Sequence, residues 1–170
     1  DSNFPTVDPK DPYALTFEEQ RIIDGLQTSF VNCEKLQRHI ELLYKKGSMY
    51  KYYNNSLMFH GCIPMNADGT FKEMDVYGVK CHGKALFERC ETLVRQGRYA
   101  REGSEARKLG ADFMWYLWCG SQSPLFGKNK MATFERYFTD DKELHKEVSD
   151  PYFKLAYTSE MVDKILEDFG

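Results

Sequence analysis

The sequence has 170 residues, of which 42% are hydrophobic and 29% are charged, and its formal net charge is −3. This is the composition of an ordinary globular domain that is long enough to bury a core. It lacks the strongly basic balance of a nucleic-acid-binding protein, and no apolar stretch reaches the roughly 18 to 20 residues of a membrane helix. We therefore predict no nucleic-acid partner and no membrane association, and no signal peptide is visible.

Cysteine usage indicates a reducing compartment. The five cysteines are odd in number and widely spaced, and no two of them form a Cys-x-x-Cys pair. This spacing argues against a structural zinc knuckle and favours free thiols. Free thiols are typical of the reducing cytoplasm, so the sequence predicts a cytoplasmic protein.

The first part of the chain predicts an arm followed by a long helix. Residues 1–14 are polar and contain three prolines, which favours a linker or an irregular arm. Thr16 and Glu19 have the spacing of a capping box. Apolar residues then recur every three or four positions, at Ile23, Leu26, Phe30, Cys33, Leu36, Ile40 and Leu43. This pattern predicts one helix over residues 16–46, about 45 Å long and ending at Gly47.

The rest of the chain predicts a few short strands among helices. Residues 56–60 form an apolar strand pattern, and a small hairpin is expected about Gly78. Four further helices are predicted, over residues 84–98, 104–118, 139–149 and 159–169. The second of these begins at a Ser104 cap, and its second half, apolar nearly all round, should be buried. The 139–149 segment should be a solvated helix because it is highly charged.

His60 ends the apolar strand and is followed by Gly61. A lone histidine at a strand end is more often a hydrogen-bonded structural residue than a metal ligand. The neighbours nevertheless suit a metal site, because the strand would fix the backbone while the imidazole projects from its carboxyl end. Gly61 permits close approach of backbone or ligand, and Pro64 stiffens the exit. Both interpretations of His60 stay open at this point.

The string from Met58 to Pro64 resembles the His-Gly-x-x-Pro element of the calcineurin-like metallophosphoesterases. Further strings follow in order: GKAL at residues 83–86, DFMWYLWCG at 112–120, SPLFGK at 123–128 and MATFERYF at 131–138. Together with YNNSLMFHGCIP they resemble class 3 fructose-1,6-bisphosphatase, and the resemblance covers most of residues 15–170. It is specific, because WYLWCG and SPLFGK are unusual strings.

The resemblance implies a fold and a reaction. The fold is a helix-rich α/β fragment of a metallophosphoesterase sandwich with few short strands, in which residues 83–150 form a helical insertion capping the catalytic layer. The reaction is hydrolysis of the 1-phosphate of fructose 1,6-bisphosphate at a two-metal site, with manganese as the implied metal. His60 would bind one of the two ions. Residues 15–170 would thus be a partial metallophosphoesterase domain.

The family's other metal-binding elements, Asp-x-His, Gly-Asp-x-x-Asp and Gly-Asn-His, do not occur in this sequence. The chain is therefore expected to be an internal fragment that holds one metal ligand and is inactive alone. Such a fragment is also expected to pair with copies of itself, because apolar surface that would face the missing sheet needs another cover.

A bisphosphate substrate needs a second anion pocket, and the loop over residues 121–130 offers one. Its hydroxyls and ammonium groups, with a nearby guanidinium, can bind phosphate oxygens. The candidate substrate-binding residues are Ser121, Ser123, Lys128, Lys130 and Arg136. The alternative interpretation is a solvated loop with incidental lysines.

For the other chemically active side chains, the sequence favours a structural or solvent-exposed role. The remaining histidines, His39, His82 and His145, are interpreted as structural or exposed. Cys62 and Cys119 flank the motifs, but the sequence places no base for either, so a nucleophilic role is not expected. A basic cluster comprises Arg95, Arg98, Arg101 and Arg107. It is interpreted as solvated helix ends, with a phosphorylated effector as the alternative.

Two other functions remain open. A protein Ser/Thr phosphatase-like enzyme would share the metal chemistry but need an open groove for a phosphoprotein. A non-catalytic helical interaction module would use the long helix to bind a partner, with His60 as a structural residue. Metal dependence separates this last hypothesis from both enzymes.

Overall fold

The structure, a computed structural model, describes residues 4–170. Within these residues seven helices and four short strands follow the order α1 (Phe17–Val31), α2 (Glu34–Lys46), β1 (Tyr50–Tyr53), β2 (Ser56–Phe59), β3 (Met74–Val76), β4 (Val79–Cys81), α3 (Gly83–Tyr99), α4 (Glu105–Cys119), α5 (Thr133–Phe138), α6 (Tyr152–Leu155) and α7 (Ser159–Phe169). Helices dominate and the strands form two separate two-stranded sheets. The predicted helix-rich α/β class with few short strands is confirmed.

The N-terminal arm precedes a capped helix. Of the predicted arm, residues 1–3 lie outside the described part, and residues 4–14 contain turns and one isolated bridge between Asp8 and Asp11. The capping box that starts α1 is confirmed. The Glu19 N–H donates to the Thr16 hydroxyl at 3.3 Å, and the Thr16 N–H donates to the Glu19 carboxylate at 2.8 Å.

The prediction of a single helix over residues 16–46 is wrong, because the helix is interrupted between α1 and α2. Asn32 leaves the helical region with φ −90° and ψ 1°, and Cys33 is extended. The apolar spacing continues through Cys33, so periodicity alone does not reveal the break. Asn and Cys have low helix propensity, and neither helix has a buried residue that would hold the two in one rod.

Both sheets are antiparallel hairpins. Strand β1 pairs with β2 across a two-residue turn, Asn54–Asn55, whose φ angles of 49° and 58° suit a type I′ turn. Strand β3 pairs with β4 around Tyr77 and Gly78, so the hairpin predicted about Gly78 is confirmed. The predicted 56–60 strand ends at Phe59, one residue before His60.

Helix α3 lies between two hydrophobic cores. Leu86, Cys90 and Leu93 pack with Phe113 and Leu117 of α4. One residue further round the helix, Phe87 belongs to a second core, with Ile63, Met65, Met161, Ile165 and Phe169. The helix therefore joins the segment after β2 and the last helix on one side to α4 on the other.

Only one face of α4 is buried. Its buried residues are Gly110, Phe113 and Leu117, whereas Trp115 and Trp118 are 66% and 60% exposed. The expectation that the whole second half would be buried is wrong. Packing against α3 covers a single face, and the two indole rings instead contact each other at 5.1 Å between centroids.

The first turn of α3 is capped from the far end of the chain. His82, at the N-cap position, makes no side-chain capping bond. Instead the Lys84 N–H donates to the Asp168 carboxylate, in α7, at 2.6 Å. Gly83 leaves room for this carboxylate, since a Cβ there would lie 2.1 Å from Asp168 Oδ2. Helix α7 matches the helix predicted over 159–169, although its N-cap is Thr158.

The charged helix predicted over residues 139–149 is wrong, because this segment forms turns and extended chain. The Asp141 carboxylate accepts the Glu143 N–H at 2.9 Å, a local bond that competes with helix formation. Lys130 and Arg136, which lie before this segment, donate hydrogen bonds to its backbone carbonyls.

None of the helices in residues 4–170 is both long and apolar enough to cross a bilayer.

Helices α3 and α4 touch where two glycines face each other. A Cβ on Gly97 would lie 2.3 Å from Gly110 Cα, a distance that real Cβ atoms do not adopt. We expect Gly97→Ala to lower the unfolding free energy by about 1–3 kcal/mol, because the helices must move apart. Urea unfolding followed by far-UV circular dichroism measures the change.

Gly25 is the matched control, since a Cβ there meets nothing within 4 Å. Gly25→Ala should leave stability unchanged or raise it by up to about 1 kcal/mol, because alanine favours the helix interior. Equal stability of the Gly97→Ala variant and the parent would contradict the close helix contact.

Candidate functional site

His60 lies immediately after β2 with an exposed imidazole. Side chains alternate along the strand, so Leu57 and Phe59 face inward while Met58 and His60 face solvent. The Phe59 ring packs 5.9 Å from the Phe87 ring, between centroids, and anchors the strand end in the core. The strand therefore presents the histidine at the surface, and its role as a metal ligand stays a prediction.

The His-Gly motif contacts the SPLFGK loop directly. The Cys62 N–H donates to the Pro124 carbonyl at 2.8 Å. Gly61 has a φ of 86° and approaches the loop so closely that a Cβ would lie 2.1 Å from the Pro124 oxygen and 2.8 Å from Leu125 Cα. Two motifs about 60 residues apart in sequence are thus adjacent, and Gly61 is required both for its φ and for the contact.

The loop after α4 is folded around Ser123. This side chain is fully buried, and its hydroxyl donates to the Leu117 carbonyl at 2.5 Å and accepts the Leu125 N–H at 3.2 Å. Gly127 of the same loop also packs on the motif, because a Cβ there would lie 3.0 Å from Cys62 Sγ. The Ser123 hydroxyl therefore stabilises the conformation of the loop. Its binding to phosphate stays a prediction, and it would require this loop to rearrange.

Asp150 is a residue that the sequence analysis missed. Its buried carboxylate accepts the Met65 N–H at 3.1 Å and the Tyr152 N–H at 2.9 Å, and its own N–H donates to the Gly127 carbonyl at 2.9 Å. It thereby ties the motif, the loop and α6 together. The signal that could have found it is the Asp150-Pro151 pair, since Asp before Pro favours a turn that starts a helix.

Cys62 is unsuited to nucleophilic chemistry. Burial, reinforced by the negative charge of Asp150, raises the pKa of this thiol to about 12. The reactive form of cysteine is the thiolate, so the side chain stays protonated at neutral pH. The raised pKa agrees with the sequence-based expectation that Cys62 is not a nucleophile.

The three predicted phosphate-binding cations all contact one segment, residues 144–147. Lys128 and Arg136 lie 2.6 and 3.5 Å from the Glu147 carboxylate. Lys130 donates to the Leu144 carbonyl at 2.7 Å. A phosphate would thus compete with Glu147 for Lys128 and Arg136, and phosphate binding by these residues stays a prediction.

Ser121 is the remaining predicted substrate-binding residue. It is exposed, and its carbonyl accepts the Tyr116 hydroxyl at 3.4 Å. Ser121, Ser123, Lys128 and Lys130 lie within one loop, which contacts the motif beside His60 at Gly61 and Cys62. The structure therefore brings the predicted anion-binding loop and the predicted metal ligand to the same region.

The described residues do not complete a metal site. Across residues 4–170, no three His, Cys, Asp or Glu side chains converge in a group that could hold an ion. A bound divalent metal normally takes several protein ligands, so His60 supplies one ligand at most and does not suffice alone. Two other histidines have structural contacts: His82 stacks on Phe71 with ring centroids 5.9 Å apart, and His145 Nε2 lies 2.8 Å from the Thr139 carbonyl.

Comparison with known proteins shows to which family this chain belongs. The family model described as Firmicute fructose-1,6-bisphosphatase matches residues 1–170. The chain is 52% identical over 170 residues to a fructose-1,6-bisphosphatase class 3 of Clostridium novyi (strain NT) and 53% identical over 172 residues to one of Alkaliphilus metalliredigens (strain QYMF), each time with 100% of this chain and 26% of the relative covered. A Fusobacterium nucleatum protein of the same name is 51% identical over 170 residues, again covering 100% of this chain and 26% of the relative. The chain belongs to the Firmicute fructose-1,6-bisphosphatase family.

The chain spans about a quarter of the length of the curated relatives it matches. No solved structure matches it. The resemblance noted from the motif strings is therefore confirmed over the whole sequence, whereas the sandwich fold of the complete domain stays a prediction.

We expect Gly61→Ala to destabilise the chain by several kcal/mol, because it combines an unfavourable φ with a clash against the Pro124 backbone. Gly78→Ala is the matched control. It has a similar φ of 78°, but a Cβ there meets nothing within 4 Å, so only the conformational cost of about 1 kcal/mol applies. Urea unfolding of both variants separates the two effects, and equal losses would show that the contact with Pro124 contributes nothing.

Glu147 should make stability depend on pH. The hydrogen bond from Lys128, then that from the Ala132 N–H, lowers the pKa of this carboxyl below its ordinary 4.5. Its contribution is therefore present above pH 4.5 and lost as the pH falls through the lowered folded-state pKa. We expect Glu147→Gln to lower the unfolding free energy by about 1 kcal/mol at neutral pH, with the difference shrinking as the pH falls below 4.5 and Glu147 becomes protonated.

Glu143→Gln is the control for this measurement. Glu143 is 76% exposed and pairs with Lys146 three residues away, so its removal should change stability little at any pH. A constant loss in the Glu147→Gln variant from neutral to acid pH would assign the effect to packing instead of charge.

Proposed function

We propose that this chain forms part of an enzyme that hydrolyses the 1-phosphate of fructose 1,6-bisphosphate. Water adds to phosphorus, the bond from phosphorus to the sugar oxygen breaks, and the products are fructose 6-phosphate and inorganic phosphate. The observation that carries the proposal is the family match over all 170 residues, which includes both motifs that meet at Gly61 and Pro124. The relatives carry the name fructose-1,6-bisphosphatase class 3.

His60 is proposed as a metal ligand, and Mn²⁺ as the metal. The support is its position on an exposed strand end beside the loop, together with the motif's resemblance to the metallophosphoesterases. Imidazole together with carboxylate ligands suits manganese without selecting it. Since the described residues supply no group of three ligands, metal binding is proposed only for a protein that adds further ligands to His60.

Substrate phosphate is proposed to bind at the loop over residues 121–130. Arg136 is 53% exposed and Lys128 39% exposed at the side chain, so both can reach a ligand while Glu147 neutralises them in its absence. A phosphate dianion carries more charge than one carboxylate and can replace it as partner of both cations. Ser121 is exposed at the start of the loop, and Lys130 lies at its end.

Exposed apolar residues support a proposal about assembly. Helix α1 has no buried residue, and its exposed apolar side chains are Phe17, Ile22, Ile23, Leu26, Phe30 and Val31. An apolar patch of this size normally has a cover. We propose that this face of α1 packs against another surface of the assembled enzyme, which can belong to a second copy of the protein.

A cytoplasmic location is also proposed. The cysteines of the described chain are free thiols, which supports it.

The test is a chimera in which this chain replaces the matching quarter of the Clostridium novyi relative. We expect the chimera to release phosphate from fructose 1,6-bisphosphate when Mn²⁺ is present and not after its removal by a chelator. His60→Ala in the chimera should lower the Mn²⁺-dependent kcat/KM by about 100-fold or more, because a ligand is lost. Phosphate release and bound manganese are measured together.

His82→Ala in the same chimera is the matched control, because His82 is also an exposed histidine followed by glycine. It should keep activity within about twofold, since its ring contact is with Phe71. A folded chimera that releases no phosphate, while the relative does, would contradict the proposed substrate. Full activity after His60→Ala would contradict the metal role.

A further inference from the structure

Lys72 lies between the His60 motif and the loop over residues 121–130, and the sequence analysis did not single it out. Its backbone N–H donates to the Pro64 carbonyl at 2.9 Å, at the end of the motif. Its ammonium group donates to the side-chain oxygen of Gln122, in the loop. The backbone of Lys72 is therefore held beside the motif while its charged end reaches the loop.

The charge of Lys72 is not neutralised by a neighbouring side chain. Lys72 forms no ion pair with a carboxylate in the described part of the chain. The cations Lys128 and Arg136, by contrast, both pair with Glu147. A phosphate that approaches Lys72 displaces no carboxylate, whereas at Lys128 and Arg136 it must compete with one. Because Lys72 is half-buried, water also compensates its charge only in part.

Gln122 is held in a conformation that directs its amide group. It is exposed, and its φ of 61° is unfavourable for a residue other than glycine. The Gln122 N–H donates to the Lys128 carbonyl at 2.7 Å, which stabilises this conformation. An ammonium group can only donate, so the Gln122 side chain must turn its oxygen towards Lys72. Its NH₂ group is then directed away from Lys72 and can donate to a ligand.

We propose that Lys72 and Gln122 together bind a phosphate group of the substrate, an inference that rests on the proposed function. The ammonium group supplies the charge and has further N–H donors besides the one used on Gln122. The Gln122 NH₂ group supplies a second hydrogen bond to the phosphate oxygens. Lys72 is thereby a substrate-binding residue in addition to the cations of the loop, and it lies closer in sequence to the motif that contains His60.

The first test is Lys72→Met in the chimera with the Clostridium novyi relative. We expect the KM for fructose 1,6-bisphosphate to rise by about tenfold or more, because a phosphate contact is lost. The kcat should stay within about threefold, since the contact is present in both the ground state and the transition state. Lys80→Met is the matched control and should leave KM unchanged, because Lys80 is 71% exposed and pairs with Glu73.

Gln122→Glu separates phosphate binding from a structural role. A carboxylate at this position still accepts the hydrogen bond from Lys72, so the contact between the two segments is kept. The substitution nevertheless neutralises the ammonium group and removes the NH₂ donor. We expect a folded variant whose KM is raised by about tenfold or more. An unchanged KM in this variant would assign the contact to structure alone and overturn the inference.

Inorganic phosphate tests the site without turnover. Calorimetry on the metal-free chimera should show binding that Lys72→Met and Gln122→Glu each weaken by about fivefold or more, and that Lys80→Met leaves unchanged. Unfolding curves establish that each variant is folded. Absence of phosphate binding up to about 20 mM, or binding that Lys128→Met abolishes and Lys72→Met does not alter, would overturn the inference. Lys72-dependent phosphate binding in a chimera that does not hydrolyse fructose 1,6-bisphosphate would support the phosphate site and contradict only the proposed function.

Discussion

The contact of Gly61 and Cys62 with the Pro124 backbone is the constraint on which the candidate site depends. It joins two segments that lie far apart in sequence, and it does so through backbone atoms, so no side-chain substitution elsewhere can replace it. Gly127 on Cys62 and Asp150 on Met65 then close the same region from two further directions. The result is a rigid base beneath an exposed histidine. Rigidity of this kind is what a ligand residue requires, because its geometry must be fixed before the ligand arrives.

Helix α3 connects this region to the rest of the chain, because it packs in both hydrophobic cores. Phe87 packs in the core beneath the His60 strand, whereas Leu86 and Cys90 pack in the core shared with α4. Near its C-terminal end the same helix touches α4 where Gly97 faces Gly110.

Local signals in the sequence were the reliable ones. The Thr16–Glu19 box, the Ser104 cap and the turn at Gly78 were correct because each depends on residues within a few positions. The break after α1 was missed because the apolar spacing runs through it unchanged. The apolar run before His60 predicted the end of this strand to within one residue. The contact of the motif with Pro124 was not predictable, because nothing in either segment alone specifies the other.

Long-range charge pairing limited the prediction of the site. Lys128 and Arg136 were recognised as cations, but their common partner Glu147 could not be identified from composition, since it lies in a segment mistaken for a helix. The Asp150 carboxylate was missed because one of its partners, the Met65 N–H, lies 85 residues away in sequence. Arg98 was noted only as one of a basic cluster, and its contacts with Glu41 and the Tyr44 ring were not predictable, because both partners lie more than 50 residues earlier in the sequence.

The carboxylate of Asp168 on the Lys84 N–H joins the start of the central helix to the last turn of the final one. Helix α3 has no side-chain cap from His82, so the Lys84 N–H in its first turn depends on the docked α7 for its partner. The amide hydrogens at these two helix ends should consequently exchange with solvent as one cooperative unit. During synthesis on the ribosome, α3 would emerge long before its cap, and its first turn would stay frayed until the chain beyond residue 168 had been made.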